Sequence, residues 1–176
     1  MKAEGAIIIK LLVFSDSHRN KASMKAVLEK TQKHINAVVH LGDGWDEIHD
    51  LMSEYPLIPL YAVAGNCDFG SGPSTLAYQL ASRKFIITHG HRFHVKSGYL
   101  RITLWAEENE ADVCLFGHTH APEVFHSGRT LMMNPGSISL PKPDFPASYG
   151  VVDMPDNGFV EGVVMGKQGL VYRRLI

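Results

Sequence analysis

Five short polar clusters, each directly after an apolar, strand-like run, constrain this chain more than any other feature. They are Asp16-Ser17-His18, Gly42-Asp43-Gly44, Gly65-Asn66-Cys67-Asp68, His89-Gly90-His91 and Gly117-His118-Thr119-His120. In open α/β sheets, ligands bind beyond the carboxyl ends of the strands, where loops can aim side chains at a common point. The repeated position therefore predicts that side chains from distant parts of the sequence converge on one edge of the fold.

The first half of the chain alternates strand and helix patterns. The predicted strands are Ile7–Ser15, Ala37–Leu41 and Leu57–Val63, and the predicted helices between them are Lys21–His34 and Asp46–Tyr55. Strands separated by helices of this length indicate βαβ crossovers and therefore parallel pairing.

From Thr75 onward, strand patterns dominate. The predicted elements are the strand Arg83–Thr88, the helix Tyr99–Glu110, the strand Val113–Phe116, a hairpin of Glu123–His126 and Arg129–Met133, and a meander of Ser148–Met154, Phe159–Met165 and Leu170–Leu175. Two irregular loops are predicted at Phe69–Ser74 and Pro141–Pro146. This order predicts an α/β fold of two packed sheets with helices on the outer faces, in a single domain over residues 1–176.

Charge, cysteine content and hydropathy exclude several classes of protein. The net charge is −1, from 17 basic and 18 acidic residues, which argues against binding through neutralised nucleic-acid phosphates. The two cysteines, Cys67 and Cys114, imply no disulfide framework, and we expect a cytoplasmic protein. The apolar run from Ile7 to Phe14 is too short to span a bilayer, so no membrane association is expected.

The clusters offer the atoms that divalent metal ions prefer. Carboxylate, amide and imidazole ligands suit Mn²⁺, Fe²⁺, Zn²⁺ or Ni²⁺, whereas no thiolate cluster is present for a structural zinc site. Asp16 and His18 are two residues apart, as are His118 and His120, so each pair would share a side of an extended chain. The seven candidate ligands exceed the three or four protein ligands of one catalytic ion, which favours two ions. They are Asp16, His18, Asp43, Asn66, His89, His118 and His120.

Each candidate also has a simpler explanation when it is taken alone. Asp and Asn are common in turns and at helix N-caps, and a lone histidine is more often a hydrogen-bonded core residue than a ligand. Taken jointly, in this order and each at a strand end, these residues are better explained by metal binding than by capping.

The motif order D-x-H, G-D, G-N, H-G-H and G-H-T-H, followed by Asn134-Pro135-Gly136-Ser137, resembles the calcineurin-like metallophosphoesterase superfamily and its small YfcE-like phosphodiesterase branch. The resemblance implies a four-layer αββα sandwich of two mixed β-sheets flanked by helices. It also implies a phosphoesterase that uses two divalent ions, of which we favour Mn²⁺, to activate a water. By matching positions, one ion would be held by Asp16, His18 and His120, the other by Asn66, His89 and His118, and Asp43 would bridge them.

One position departs from the pattern of larger members of the superfamily. Their third motif reads G-N-H, and that histidine is thought to protonate the leaving group, whereas this chain has Cys67. The remaining candidate for a catalytic group is His91, which either contacts the substrate phosphate or only orients a metal ligand. We therefore expect hydrolysis of small phosphodiesters. The alternatives are a catalytically weak scaffold for protein partners and a nuclease. Nucleic acid is the less expected substrate, and homo-oligomer formation is left open.

Overall fold

The chain forms eleven strands and three helices within residues 8–70, 72–80, 82–155 and 158–175, which the computed structural model describes. The strands are β1 (Ile8–Phe14), β2 (Ala37–His40), β3 (Leu60–Ala62), β4 (Thr75–Leu80), β5 (Arg83–Thr88), β6 (Val113–Leu115), β7 (Glu123–Ser127), β8 (Thr130–Asn134), β9 (Ser148–Pro155), β10 (Glu161–Gly166) and β11 (Val171–Leu175). The helices are α1 (Lys21–Thr31), α2 (Trp45–Ser53) and α3 (Leu100–Glu108), and 3₁₀ turns cover His91–Phe93 and Val95–Ser97.

The strands assemble into two mixed sheets. The first has the order β11-β10-β9-β1-β2-β3, and the second has the order β4-β5-β6-β8-β7. Pairing is parallel from β1 through β2 to β3, as the helical crossovers of the first half predicted, and it is also parallel from β5 through β6 to β8. Because all six of these strands are parallel within their sheets, each set delivers its loops to one edge.

Three apolar cores separate four layers. Side chains such as Leu11, Val39, Ile87 and Met133 fill the space between the two sheets. The outer face of the first sheet packs on α1 and α2, and the outer face of the second packs on α3. The predicted αββα sandwich is therefore confirmed.

Several predicted elements were too long at their ends. Helix α1 begins after Asn20, whose side chain accepts a hydrogen bond from the Ser23 backbone, and it ends at Thr31 rather than His34. Strand β3 begins at Leu60 because the preceding residues form a turn that leaves Leu57 95% exposed. Extending that strand back to Leu57 was therefore wrong.

Strand β4 was not predicted as a separate element, and some predictions lie outside the described residues. β4 forms an antiparallel hairpin with β5 and alternates between partly buried and exposed positions. Ile7, Ser71 of the predicted 69–74 loop, and the predicted turn residues Asp156 and Asn157 lie outside the described part of the chain. None of the helices in that part is long and apolar enough to cross a membrane.

Candidate metal centre

The five polar clusters meet at one edge of the sandwich, where parallel strands of both sheets end. The loops after β1, β2 and β3 contribute from the first sheet, and those after β5 and β6 contribute from the second. The structure brings all seven predicted ligand residues together there. Their role as metal ligands stays a prediction.

One group of candidate ligand atoms is formed by Asp16, His18 and His120. Nε2 of His120 lies 3.1 Å from Oδ1 of Asp16 and 3.2 Å from Nε2 of His18. Nε2 of His18 lies 3.9 Å from the same oxygen of Asp16. Ligands about 2.1 Å from a tetrahedral ion stand about 3.4 Å apart, so these three atoms can face one cation.

A second group centres on His89. Its Nε2 lies 3.4 Å from Oδ2 of Asp43, 3.1 Å from Oδ1 of Asn66 and 3.2 Å from Nδ1 of His118. Oδ2 of Asp43 also lies 3.8 Å from Nε2 of His18, in the first group. Asp43 therefore stands between the two groups.

Backbone carbonyls fix which ring nitrogen of two histidines faces the site. Nδ1–H of His89 donates to the carbonyl of Leu41 at 2.7 Å, and Nδ1–H of His120 donates to that of Leu140 at 2.6 Å. In the neutral ring, Nε2 then carries a lone pair, and both lone pairs point at carboxylate or amide oxygens, which are also acceptors.

The buried Oδ1 of Asp16 is a further acceptor that faces another acceptor. Its Oδ1 accepts no hydrogen bond from the described residues, although Nε2 of His120 is close, because that nitrogen lacks a proton in the neutral tautomer. Buried acceptors that face one another are costly unless a cation lies between them. The donor set therefore fits divalent ions in both groups.

The pKa values of the site residues also indicate that positive charge beside the two carboxylates is favourable. Burial opposes ionisation of Asp16, but the protonated ring of His120, which can donate a hydrogen bond, and the charge of protonated His89 hold the pKa of Asp16 below its usual value. Burial also opposes charge on His89, yet the hydrogen bond that its protonated ring can donate to Asp43 and the charge of Asp16 raise its pKa. Burial and the neighbouring His89 lower the pKa of His118 to about 4, which leaves a lone pair on that ring at neutral pH.

Five of the seven side chains are aimed by left-handed backbone rather than by extended chain. The φ angles are 53° at Asp16, 42° at His18, 56° at Asp43, 69° at His118 and 58° at His120. The extended chain on which the expected common side of Asp16 and His18, and of His118 and His120, depended is therefore not present. The chain curls sharply where each strand ends, and this conformation costs a non-glycine residue about 1–2 kcal/mol.

Two glycines permit the close approach of the loops. A Cβ on Gly65 would stand 2.1 Å from Oδ1 of Asp43, and a Cβ on Gly117 would stand 2.0 Å from Oγ of Ser15. No side chain fits at either position without moving a site residue. Glycine at these two positions therefore lets the backbone come close to the site.

Asp68 ties two of the ligand loops together. Its Oδ2 accepts hydrogen bonds from the backbone N–H groups of Asp43 and Gly65, both at 2.8 Å. Its Oδ1 accepts from Gly44 at 2.9 Å and Trp45 at 3.0 Å, at the start of α2. The Asp68 carboxylate therefore both caps its loop and orients the loop that carries Asp43.

The loop after β8 braces the site from behind. Nδ2 of Asn134 donates to the Gly117 carbonyl and to Oγ1 of Thr119, within the loop that carries His118 and His120. Oγ of Ser137 donates to the Asp16 carbonyl at 2.7 Å. These contacts give the segment Asn134-Pro135-Gly136-Ser137 a structural role beside the site.

Two further histidines lie at the site, and only one was singled out from the sequence. The His91 ring centroid lies 5.4 Å from that of His89, its buried Nδ1 has no partner among the described residues, and burial lowers its pKa. His40 is fully buried beneath the site, where Nδ1 accepts from the Gly42 backbone and Nε2 meets Oγ of Ser17. The sequence analysis did not single out His40, because nothing in its spacing indicated this contact.

An open cavity of about 430 Å³ adjoins the centre on the side of α2. Besides His18, Asp43 and the loop residues Asn66 to Asp68, its lining includes two aromatic residues, Trp45 and Phe69. Sequence analysis did not single these out. The available signal was a large aromatic residue placed directly after each of two polar clusters.

A sequence profile of the calcineurin-like phosphoesterase superfamily domain matches residues 9–157. The chain belongs to this superfamily. The chain is also 35% identical over 148 residues to the probable metallophosphoesterase YsnB of Bacillus subtilis, covering 82% of this chain and 83% of that protein. It is 33% identical over 119 residues to the phosphodiesterase YfcE of Escherichia coli, covering 62% of this chain and 59% of YfcE.

Solved structures agree with this membership. A predicted phosphoesterase from Streptococcus pneumoniae aligns with a TM-score of 0.83 at 30% identity, covering 96% of this chain and 98% of that one. E. coli YfcE aligns with a TM-score of 0.70 at 25% identity, covering 95% and 98%. Vacuolar protein sorting 29 from Cryptosporidium parvum aligns with a TM-score of 0.80 at 20% identity, covering 96% and 98%, and shares the fold.

Membership carries a coarse function. The matching profile describes phosphoesterases, the relative YsnB is named a probable metallophosphoesterase, and the side-chain groups described above could hold divalent ions. The expected family and fold are therefore confirmed.

Proposed function

We propose that this protein is a metal-dependent phosphodiesterase that hydrolyses small phosphodiesters with two divalent ions, preferably Mn²⁺. One observation carries the proposal. The buried or half-buried acceptor atoms of the site form two groups, the atoms of each group lie close to one another, and Asp43 stands between the groups. Two such groups that share a carboxylate suit a pair of ions better than one ion, and a single site would leave half of these acceptors without a cation.

The chain's residues then divide into three roles. Asp16, His18 and His120 would hold one ion, Asn66, His89 and His118 the other, and Asp43 both. When bound, the ions supply charge stabilisation of the phosphate and a nucleophile at neutral pH. We assign His91 as the group that contacts the phosphate, because its ring centroid lies 5.4 Å from that of His89 and 6.0 Å from that of His118.

The preference for diesters with good leaving groups rests on Cys67. Burial and the hydrogen bond with Asp43 raise the pKa of Cys67 to about 11, so the thiol is a poor proton donor. General-acid assistance is worth roughly 10²–10⁴-fold in rate, and it matters most for poor leaving groups. The name of the relative YfcE, a phosphodiesterase, supports the same preference.

The proposal also covers the cellular compartment of the protein and the extent of its domain. Cys67 and Cys114 are both free, which supports a reducing cytoplasm. Strands β10 and β11 extend the sheet that begins with β1 beyond the matched segment 9–157. This pairing supports one metallophosphoesterase domain over residues 1–176.

The test combines metal content with a matched pair of substrates. After reconstitution with Mn²⁺, elemental analysis should give two ions per chain. Bis(p-nitrophenyl) phosphate should then be hydrolysed faster than p-nitrophenyl phosphate, which has the same leaving group, and chelation should abolish both activities. A saturating stoichiometry of one or none, or faster hydrolysis of the monoester, would contradict the proposal.

The scaffold alternative is favoured by the fold shared with vacuolar protein sorting 29. The seven candidate metal ligands argue against the scaffold alternative, because a scaffold does not need hydrogen-bond acceptors that face one another in a buried site. Full Mn²⁺ occupancy without hydrolysis of any diester would favour the scaffold. The nuclease alternative predicts that single-stranded DNA competes with the small diester, and the net charge of −1 predicts that it does not.

A further inference from the structure

The cavity beside the metal centre has one wall that the proposed chemistry does not use. The candidate ligands His18, Asp43 and Asn66 line it together with the aromatic residues Trp45 and Phe69. Hydrolysis at the metals needs no aromatic residue. Two aromatic residues on the lining of the cavity therefore call for a different role.

Trp45 is held rigidly. The imidazole of His49 lies against its indole, with ring centroids 4.2 Å apart, and Nδ1–H of His49 donates to the Trp45 carbonyl at 2.7 Å. On another side, a Cβ at Gly72 would stand only 2.6 Å from the indole, so the following loop packs directly on its edge. The indole is thus a fixed surface rather than a mobile side chain.

Phe69 adds an aromatic ring to the cavity lining, and its backbone is held in place by the neighbouring Asp68. It directly follows Asp68, whose carboxylate accepts four backbone hydrogen bonds, yet the Phe69 side chain is 94% exposed. A nearly fully exposed phenylalanine beside a binding site is free to cover a ligand. Its truncation should also leave the fold intact, because the ring has so little buried surface to lose.

The charges around the cavity restrict what can enter. Arg19 lines it and forms no ion pair with any of the described residues, so its guanidinium is available to an anion. Asp46 and Glu47, in the first turn of α2, place two carboxylates on the same lining. These carboxylates repel a polyanion but accept hydrogen bonds from amino or hydroxyl groups.

We propose that Trp45 and Phe69 bind one ester group of the substrate as a planar aromatic ring, and that the substrate is a small nucleoside phosphodiester with a single negative charge. The phosphate would lie at the metal centre, so this inference rests on the proposed function. A nucleobase fits the aromatic wall by stacking, and its amino groups or the ribose hydroxyls fit the carboxylates of Asp46 and Glu47.

Direct binding tests the proposal without relying on turnover. Calorimetry on the Mn²⁺-loaded protein would compare the methyl ester of adenosine 5′-monophosphate with dimethyl phosphate. Both are diester monoanions with alkoxide leaving groups, which we expect to be cleaved slowly. Base stacking on aromatic residues should make the adenosine ester bind roughly 5- to 100-fold more tightly.

Two variants separate stacking from a general change. Phe69→Ala should remove at least about fivefold of the affinity for the adenosine ester and leave dimethyl phosphate unchanged. The matched control is Phe159→Ala, which removes a ring that is 82% exposed in another part of the chain and should change neither affinity. Phenyl methyl phosphate should fall between the two ligands, because it stacks but offers no groups to Asp46 and Glu47.

The possible outcomes distinguish this inference from the proposed function. Equal affinities for the two esters, or a Phe69→Ala variant that retains the difference, would overturn the aromatic subsite even if bis(p-nitrophenyl) phosphate is hydrolysed. Binding of neither ester by the Mn²⁺-loaded protein would overturn it as well. Discrimination without any hydrolysis would support the subsite and reject the phosphodiesterase activity.

Discussion

Asp68 offers the sharpest test of how the centre is held together. Its two carboxylate oxygens each accept two backbone hydrogen bonds, at 2.8–3.0 Å, from the loops that carry Asp43 and Asn66 and from the start of α2. Asp68→Ala removes all four acceptor contacts and leaves the N–H groups to water or to nothing. We expect a less stable protein with weaker metal binding.

The magnitude follows from the number and kind of these bonds. A hydrogen bond to a charged group is worth about 1.5–3 kcal/mol, so four set an upper bound of about 6–12 kcal/mol. Asp68 is only half-buried, and water can replace part of the loss, so we expect about 2–4 kcal/mol. For a chain of this size, that corresponds to a fall in Tm of about 4–16 °C. Loss of the anchor should also weaken Mn²⁺ binding roughly 10- to 100-fold, as for other groups that orient metal ligands.

Asp68→Asn distinguishes hydrogen bonding from packing. The amide has nearly the same shape, but either orientation turns its NH₂ group toward two backbone N–H donors. It should therefore lose at least half of the stability that Asp68→Ala loses. Urea unfolding in the presence of chelator measures the metal-free effect, and Asp144→Ala, at an exposed loop position, is the control. A near-native Asp68→Asn variant would refute the anchoring argument.

Three further predictions concern other residues of the centre. Asp43→Ala should reduce occupancy of both ions, whereas Asn66→Ala should weaken one, and calorimetric titration with Mn²⁺ that gave equal losses would contradict the bridging role. The rate of hydrolysis should depend steeply on leaving-group pKa across a series of aryl diesters, and Cys67→His should flatten that dependence if the metals still bind. A weak dependence of the hydrolysis rate on leaving-group pKa in the unmodified protein would mean that a general acid is already present. Burial lowers the pKa of His40 to about 4, so its contribution to stability is complete above pH 6.5 and is lost as the pH falls toward 4. In chelator, the unmodified protein should lose about 1–2 kcal/mol more than His40→Gln between pH 6.5 and 5, and equal losses in urea unfolding would exclude this linkage.

The fold was largely predictable because periodicity and element order are local signals. Apolar runs followed by polar clusters located β1, β2, β5 and β6, and the helices of the first half implied the parallel pairing of β1, β2 and β3. Strand ends were less predictable, since they depend on where tertiary pairing stops. The residues from Leu57 to Pro59 have strand-like composition but form a turn, because β3 pairs with β2 only from Leu60 onward.

The candidate site was predictable in its residues but not in its geometry. Ligand chemistry appears directly in the sequence as Asp, Asn and His, so the set that converges could be named in advance. The left-handed backbone at Asp16 and His118 could not, because it results from how each strand end meets a neighbouring loop. His40, Trp45 and Phe69 were missed for a related reason: their neighbours in space come from other segments of the chain.

The left-handed residues of the centre also bear on how such a protein can change over evolutionary time. Asp16, His18, Asp43, His118 and His120 each hold a conformation that glycine adopts without penalty. Replacing any of them with glycine relieves that strain and, for the charged residues, removes buried charge. A lineage no longer selected for metal binding would therefore meet little resistance from the fold as these side chains disappear. The loss of these side chains is therefore a change that the fold itself would not oppose.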